Sequence, residues 1–415
     1  MSRVSVYALY IIISLCTPTL LHGQFHRCGT DEAHFGHSGW QEKKVQIEQV
    51  LQNYLIQNKI EQRSKITIPV VVHIVWNQEI ENISEDQILS QIAVLNQDFR
   101  AMNVENANVP AEFRAIVADT GIEFCLARED ERGRETNGIV RTFTRELGVA
   151  SNDALIKDGR FGGSDAWDTQ RFLNIWVGKR NDGILGEATM PGEAEDWEDG
   201  IVIDYRAFGS IGTALENIPY NLGRTLTHEV GHYLGLNHPW GSNFDNSSCE
   251  GDDGLSDTPI QAETYNQKCP NAPIRTCQSS DMYMNFMNYT DDACMSLFTI
   301  QQSERMLAVL NTLRKNLLEN NICEMVNQVD HLLNENIVSI APNPANDQVQ
   351  IQLHDFHQAL SAELYNALGQ RISTFKIIPR TTYLLDVQAY SSGIYYLRLY
   401  NEYQHITKPI LLNPK

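Results

Sequence analysis

The stretch TLTHEVGHYLGLNHPWG, at 225–241, constrains this chain more than any other part of it. In a helix, His228 and His232 are four residues apart and project from one face, as two ligands of a single ion must. Gly235 is well placed for the left-handed residue that ends a helix, so His238 can supply a third ligand after the chain turns back. The spacing therefore predicts a helix that ends beside a metal site.

Three nitrogen ligands leave the fourth tetrahedral position open for water, which is typical of a catalytic zinc rather than a structural one. Glu229 is not needed as a ligand, so it can take a proton from that water and pass it to a leaving amine. The alternatives are histidines that only pack, or a closed structural zinc. The full H-E-x-x-H-x-x-G-x-x-H string argues against both, because every needed residue stands at every needed spacing.

The composition and the amino terminus indicate an exported protein. The formal net charge is -20, from 32 basic and 52 acidic residues, which argues against a nucleic-acid partner. Residues 1–23 have Arg3 before an apolar run that is too short for a membrane span, as in a secretory signal peptide, so no integral membrane segment is expected. A lipoprotein reading of Cys16 is the alternative, but Leu15 stands where a small residue is needed. We expect a secreted or cell-surface protein.

The rest of the chain divides into four parts. Residues 24–65 are polar with one helical stretch and are predicted to be an appendage to the part that follows. Residues 66–325 mix buried strands such as KITIPVVVHIVW with helices, an α/β arrangement. A linker at 326–336 then leads to 337–415, whose short alternating strands predict a small all-β sandwich.

The zinc motif together with MYMNFMNYTDDACM, at 282–295, resembles the pappalysin family of metzincin peptidases. The resemblance implies a mixed sheet with an active-site helix, an irregular C-terminal subdomain, and a zinc endopeptidase that acts on protein or peptide substrates. It implies that the three histidines bind zinc and that Glu229 is the general base. It further implies that Met287 lies beneath the metal and that Tyr289 hydrogen-bonds the oxyanion, although Tyr289 could be an ordinary packed tyrosine.

The same resemblance implies cleavage on the amino side of Arg or Lys, with an acidic group at the base of the substrate pocket. Asp291 and Asp292 lie where that group should be, and we favour Asp292. The alternative is a solvated turn carboxylate.

The insert CEGDDGLSDTP, which begins at Cys249, gathers hard oxygen ligands suited to calcium. The candidate ligands are Asp253, Asp257 and Thr258, beside Asp252. A solvated charge run is the alternative, but the family resemblance also implies calcium in this loop.

Seven cysteines follow the signal peptide, so at least one is not in an intrachain disulfide. Four of them, which surround the insert, allow three pairings: Cys249, Cys269, Cys277 and Cys294. The resemblance implies Cys249 with Cys277 and Cys269 with Cys294. Cys125, in an apolar strand, is predicted to be a buried thiol.

Cys28, in HRCGT, is similar to the pro-segment cysteine switch of this family, in which a thiolate fills the open zinc position and keeps the enzyme latent. The resemblance thus implies that residues 24–65 are a pro-segment. A disulfide between Cys28 and Cys323 is the alternative. If the enzyme cuts before basic residues, it could release its own pro-segment before Arg63 or Lys65.

The C-terminal part resembles the sorting domain of proteins exported by the type IX secretion system of Bacteroidetes, on the PNPA turn, the NALGQ hairpin and the GIYYLRL strand. This implies secretion machinery as a partner; a generic binding sandwich is the alternative. For the whole chain, the rivals are an inactive metzincin scaffold that acts as a surface binding protein and a zinc amidase. The intact Glu229 argues against an inactive scaffold.

Overall fold

The computed structural model describes residues 26–30, 39–58, 65–194, 196–241, 248–262, 264–266, 268–270, 273–318, 323, 338–354, 360–367, 369–377, 382–400 and 405–413. The predicted signal peptide and linker lie outside these residues. Among the helices described, none is long and apolar enough to cross a membrane.

A mixed seven-stranded sheet forms the centre of the first unit. Its strands are β1 (His26–Cys28), β2 (Ile66–Trp76), β3 (Ile122–Leu126), β4 (Ile139–Phe143), β5 (Leu173–Gly178), β6 (Ile184–Ala188) and β7 (Ile201–Asp204). The order is β1-β6-β7-β5-β2-β3, and β4 pairs with the second half of β2. Strand β6 runs antiparallel to β7, whereas β1 runs parallel to β6. The apolar run that predicts a buried strand is the long central strand β2, and the predicted mixed sheet is confirmed.

The helices of this unit are α1 (Trp40–Gln57), α2 (Glu85–Phe99), α3 (Asp153–Ile156), α4 (Arg224–Tyr233) and α5 (Ile300–Thr312). The side chain of Ser84 accepts a hydrogen bond from the Gln87 backbone and caps α2. The Gln87 side chain turns away from this cap to bind the Phe208 carbonyl at 2.8 Å. Helices α2 and α5 bury one apolar face each against the sheet and its core, whereas every residue of α4 is buried.

Helix α1, in the predicted pro-segment, packs against α5. Its buried contact is Leu51, with Ile47 and Tyr54 partly buried beside it. The sequence also suggests Val45 and Val50 for this face, and that expectation is wrong, because they are 58% and 44% exposed. A helical stripe can be drawn in more than one way through this sequence, and only the partner helix decides between them.

In the described residues of the second unit, the regular elements are all strands, as predicted. Its strands are β8 (Val338–Ala341), β9 (Gln348–Leu353), β10 (Leu360–Asn366), β11 (Arg371–Ile377), β12 (Thr382–Asp386), β13 (Gly393–Tyr400) and β14 (His405–Leu412). They form a four-stranded sheet, β11-β10-β13-β14, and a three-stranded sheet, β12-β9-β8. All pairs are antiparallel, and alternate residues such as Val349 and Ile351 enter a separate apolar core.

The described residues of the first unit contain three disulfides. Cys249 pairs with Cys277 and Cys269 pairs with Cys294, the pairing that the family resemblance implies. Cys125 pairs with Cys323, so the predicted buried thiol at Cys125 and the alternative Cys28–Cys323 bridge are both wrong. The cause is the fold: Cys323 follows α5 and returns to strand β3, which no local pattern reveals.

Replacing Cys323 by Ser should destabilise the first unit by about 2–5 kcal/mol, because the disulfide closes a loop of 198 residues. Denaturant unfolding of oxidised protein, followed by tryptophan fluorescence, measures this. Cys125→Ser should have the same effect, and the double variant should be no less stable than either single one. Unchanged unfolding midpoints in all three would contradict a stabilising role for the bridge.

Candidate active site

Helix α4 and the turn after it bring the three motif histidines together. Gly235, with φ 86°, ends the helix in the left-handed conformation, and a Cβ there would lie 2.8 Å from Val309. The chain then turns back and places His238 beside His228 and His232. The three Nε2 atoms lie 3.0–3.1 Å from one another.

The polarity of these rings suits a cation. The Nδ1 atom of His228 lies 2.8 Å from the Phe286 carbonyl, and that of His232 lies 2.8 Å from the Leu236 carbonyl, so each Nδ1 carries the proton and each Nε2 offers a lone pair. Burial lowers the pKa of His228 well below its usual value, with the neighbouring histidines adding to the effect. Neutral nitrogens that face one another so closely repel unless a metal ion binds between them, so the residues fit the metal that the motif predicts.

Cys28 completes this cluster. Its sulfur and the three histidine nitrogens lie within 4.8 Å of one another, and all four residues are buried. Cys28 is not disulfide-bonded. It is carried by β1, where Cys28 pairs with Gly186 of β6.

Glu229 lies beside the cluster and is fully buried. Its Oε2 accepts a hydrogen bond from the Thr30 hydroxyl at 2.9 Å and lies 3.6 Å from the Cys28 sulfur. Burial raises the pKa of Glu229 to about 8, and the contacts with Thr30 and Cys28 oppose that rise. Gly186 makes room for this carboxylate, because a Cβ there would lie 2.7 Å from Glu229 Cγ.

Met287 lies directly beneath the helix, as the resemblance implies. It is fully buried, and a Cβ on Gly231 would lie 2.3 Å from its sulfur. Gly231 therefore lets the methionine turn approach the helix between the two histidines. The sequence analysis did not single out Gly231, although a glycine inside the helical motif was a visible signal for close approach.

Tyr289 is half-buried at the edge of the cluster. Its ring centroid lies 4.9 Å from the centroids of His238 and Trp240, and 5.6 Å from that of His228. Trp240 in turn stacks on His238 at 4.6 Å. The tyrosine thus borders the candidate metal site instead of packing in the core.

Asp292 is fully buried and lies against Arg27, the residue that precedes Cys28. Its Oδ2 accepts hydrogen bonds from the backbone of Leu222 at 2.8 Å and of Arg224 at 3.2 Å, at the start of α4. Its Oδ1 accepts one from Arg27 at 2.8 Å, and both side chains are fully buried. Asp291, its half-buried neighbour, is not part of this ion pair.

Arg27 was missed by the sequence analysis. Besides Asp292, its guanidinium contacts the Thr290 carbonyl at 2.6 Å and lies 4.8 Å from the centroid of the Tyr220 ring. The available signal was its position directly before Cys28. A basic side chain from the predicted pro-segment therefore pairs with the carboxylate that the sequence assigns to the substrate pocket.

The predicted calcium ligands do not form one cluster. Asp253 accepts hydrogen bonds from Thr258 at 2.6 and 2.8 Å, while Asp257 accepts from Thr299 and from the Gln301 backbone, both at 2.8 Å. Within the described residues, the single group of three or more His, Cys, Asp or Glu that could hold a metal is the one around Cys28. Calcium stays a prediction.

Comparison with known proteins identifies the class to which this site belongs. Residues 160–311 match the peptidase family described as "Pregnancy-associated plasma protein-A", and residues 339–413 match the domain described as "Secretion system C-terminal sorting domain". An extracellular metalloprotease of Arthroderma gypseum is 30% identical over 249 residues, which are 59% of this chain and 72% of that protein.

Two solved structures extend the likeness. A promirolysin mutant from Tannerella forsythia is 40% identical with a TM-score of 0.64, and the match covers 70% of this chain and 97% of that one. Mature mirolysin from the same organism, in complex with a cleaved peptide, is 46% identical with a TM-score of 0.57, over 62% and 96% of the two chains.

The fold, the histidine cluster and these likenesses define a secreted metalloprotease. The chain belongs to the pappalysin family of metzincin peptidases and carries a C-terminal secretion sorting domain. Both resemblances read from the sequence are confirmed.

Substituting Gly231 by Ala should reduce both the bound metal and the unfolding temperature, although Ala favours helices over Gly. The added Cβ would overlap the Met287 sulfur and push the methionine turn from the helix, at a cost of about 1–3 kcal/mol. Elemental analysis and thermal unfolding measure the two effects. Adding Met287→Ala should recover part of both losses, and a single variant that matches the wild type would contradict this close packing.

Proposed function

We propose that this metalloprotease is a zinc endopeptidase that cleaves on the amino side of Arg or Lys and is made as a latent precursor. The observation that carries the proposal is the buried ion pair between Arg27 and Asp292, directly beside the histidine cluster. A buried carboxylate whose second oxygen is held by two backbone N–H groups is a preformed receptor for a basic side chain.

The residues around the cluster have separate roles in this proposal. His228, His232 and His238 hold zinc, which when bound supplies Lewis-acid chemistry toward water and the peptide carbonyl. Glu229 accepts the proton of the attacking water and passes it to the leaving amine. Tyr289, at the edge of the site, donates a hydrogen bond to the developing oxyanion.

The direction of the chain explains how the precursor avoids cutting this segment. Arg27 lies in the pocket and the next residue, Cys28, lies at the histidines, so the segment runs from pocket to metal. A substrate cut before its basic residue runs from metal to pocket. The pro-segment therefore lies backwards in the cleft, and the Arg27 side chain fills the pocket without presenting a bond for hydrolysis.

In this proposal, three contacts made within four residues of the pro-segment keep the precursor inactive. Arg27 pairs with Asp292, and Cys28 would be the fourth ligand of a metal held by the three histidines. Thr30 engages the base: its hydroxyl donates to Glu229 at 2.9 Å and accepts from the Ala188 backbone at 3.0 Å. The segment thus opposes substrate binding, metal chemistry and proton transfer at once. Helix α1 adds a remote anchor through the ion pair of Glu48 with Arg305.

Two further proposals concern export and calcium. The matched sorting domain supports secretion by a type IX system in a host of the Bacteroidetes, with a signal peptide at 1–23 and a sorting domain at 337–415.

For the proposed calcium site in the insert that begins at Cys249, burial raises the pKa of Asp253 to about 7, so a bound cation would stabilise the charged form of this carboxylate. Calorimetric titration of calcium into wild type and Asp253→Asn tests this, and equal heats would exclude Asp253.

Cleavage-site profiling of the processed enzyme on a peptide library should show cuts before Arg and Lys that Glu229→Ala and chelation abolish. Asp292→Asn should lower kcat/KM for these peptides by roughly 10²–10³-fold, because it removes the partner of a buried charge. Asp291→Asn is the matched control and should change little. Cleavage without a preference for basic residues would contradict the role of Asp292 in the substrate pocket. The absence of cleavage by a metal-loaded, processed protein would favour an inactive scaffold that acts as a binding protein.

Thr30→Val should raise the initial peptidase rate of the precursor about tenfold, because the hydrogen bond from the Thr30 hydroxyl to Glu229 is lost without a change of shape. Thr30→Ser keeps the hydroxyl and should behave as the wild type. Rates are measured with a short fluorogenic peptide before any pro-segment is released. If Cys28→Ala raises the rate but Thr30→Val does not, the latency rests on the thiol alone.

A further inference from the structure

The segment that carries Cys28 continues past the histidine cluster, away from the proposed Asp292 pocket. Arg27 lies in that pocket and Cys28 at the histidines, so Gly29 is the first residue beyond the metal. Its backbone N–H donates to the Gly186 carbonyl of β6 at 2.9 Å. A substrate that runs backwards relative to this segment brings the residue before its scissile bond to the same stretch of β6.

The space beside Gly29 is bordered by two side chains of β6. A Cβ on Gly29 would lie 3.0 Å from two side-chain atoms of Ile184 and 3.4 Å from Oε2 of Glu187. The pro-segment passes this point without a side chain. Because a substrate has a side chain there, the substrate must contact the isoleucine, the carboxylate or both.

The carboxylate of Glu187 is held in place by Arg180. Nη2 of Arg180 lies 3.1 Å from Oε2 of Glu187 and 2.8 Å from Oδ2 of Asp182, so two carboxylates share one guanidinium. The neighbouring Lys157 pairs with Asp153 and adds no net charge. Arg180 is buried, and its Nη1 has no hydrogen-bond partner among the described residues. The group therefore keeps a net negative charge facing Gly29.

We propose that Ile184 and Glu187 form the subsite for the substrate residue on the amino side of the cleaved bond. The isoleucine limits the size of that residue. The carboxylate favours side chains that donate hydrogen bonds, such as Ser, Thr or Asn, and disfavours Asp and Glu by like-charge repulsion. This subsite rests on the proposed cleavage before basic residues, because that preference sets the direction of the substrate.

The test uses the processed, zinc-loaded enzyme and peptides with Arg fixed after the scissile bond and the preceding residue varied. Glu187→Gln should raise the relative kcat/KM for Asp and Glu at that position about tenfold and leave the requirement for Arg unchanged. Ile184→Ala should raise the relative kcat/KM for Leu and Phe several-fold, roughly as expected for a subsite enlarged by a few methylenes. Asp182→Asn is the matched control, because it also removes one negative charge that pairs with Arg180 but leaves the Glu187 carboxylate beside Gly29. It should leave the preference for the residue before the cleaved bond unchanged.

Two results would overturn the subsite: an unaltered profile in both β6 variants, or the same change in Asp182→Asn as in Glu187→Gln. The second result would mean that release of Arg180, and not the carboxylate facing the substrate, alters selectivity. A wild type that does not require Arg or Lys after the bond would instead reject the proposed cleavage preference. Thermal unfolding of each variant identifies any that fail to fold. Because Ile184 and Glu187 are substituted separately, the loss of one variant still leaves the other as a test.

Discussion

Three imidazole nitrogens that meet within 3.1 Å are the arrangement on which the catalytic unit depends. Their lone pairs repel without a cation, so the fold must hold them together by contacts made behind each ring. Backbone carbonyls of Phe286 and Leu236 fix two rings, and the methionine turn supports the helix at Gly231. These supports come from segments far apart in the sequence, which makes the site a product of the whole unit and not of the helix alone.

The proposed pro-segment contacts the same elements that serve the proposed reaction. Strand β1 adds to the edge of the sheet beside β6, so main-chain hydrogen bonds hold it there whatever its side chains are. Three side chains within residues 27–30, of which two belong to β1, then contact Asp292, the histidines and Glu229. In the proposed latent form, any event that detaches β1 from β6 would release these contacts together, so a single cleavage upstream of β2 would be physically sufficient for activation.

Helix geometry alone predicted the part of the site that lies within one short stretch of sequence. The spacing of the histidines and Glu229 follows helix geometry, so it could be read from the residues alone. Met287, Tyr289 and Asp292 lie about sixty residues from the helix, and only the family resemblance connected them to it. Arg27, Thr30 and the Cys125–Cys323 bridge were missed because they depend on which strands become neighbours at an edge, which period-two patterns do not specify.

An edge strand that accepts a chain in either direction cannot choose a substrate through its backbone. Strand β6 pairs with β1 in parallel, and a substrate cut before Arg or Lys would pair with it in the opposite direction. The main-chain bonds therefore supply affinity for any extended peptide, and discrimination must come from side chains on the two flanks of the metal. Asp292 stands on one flank and Glu187 on the other. Both are carboxylates held by fixed donors, so the cleft as a whole would select against acidic peptides on both sides of the bond.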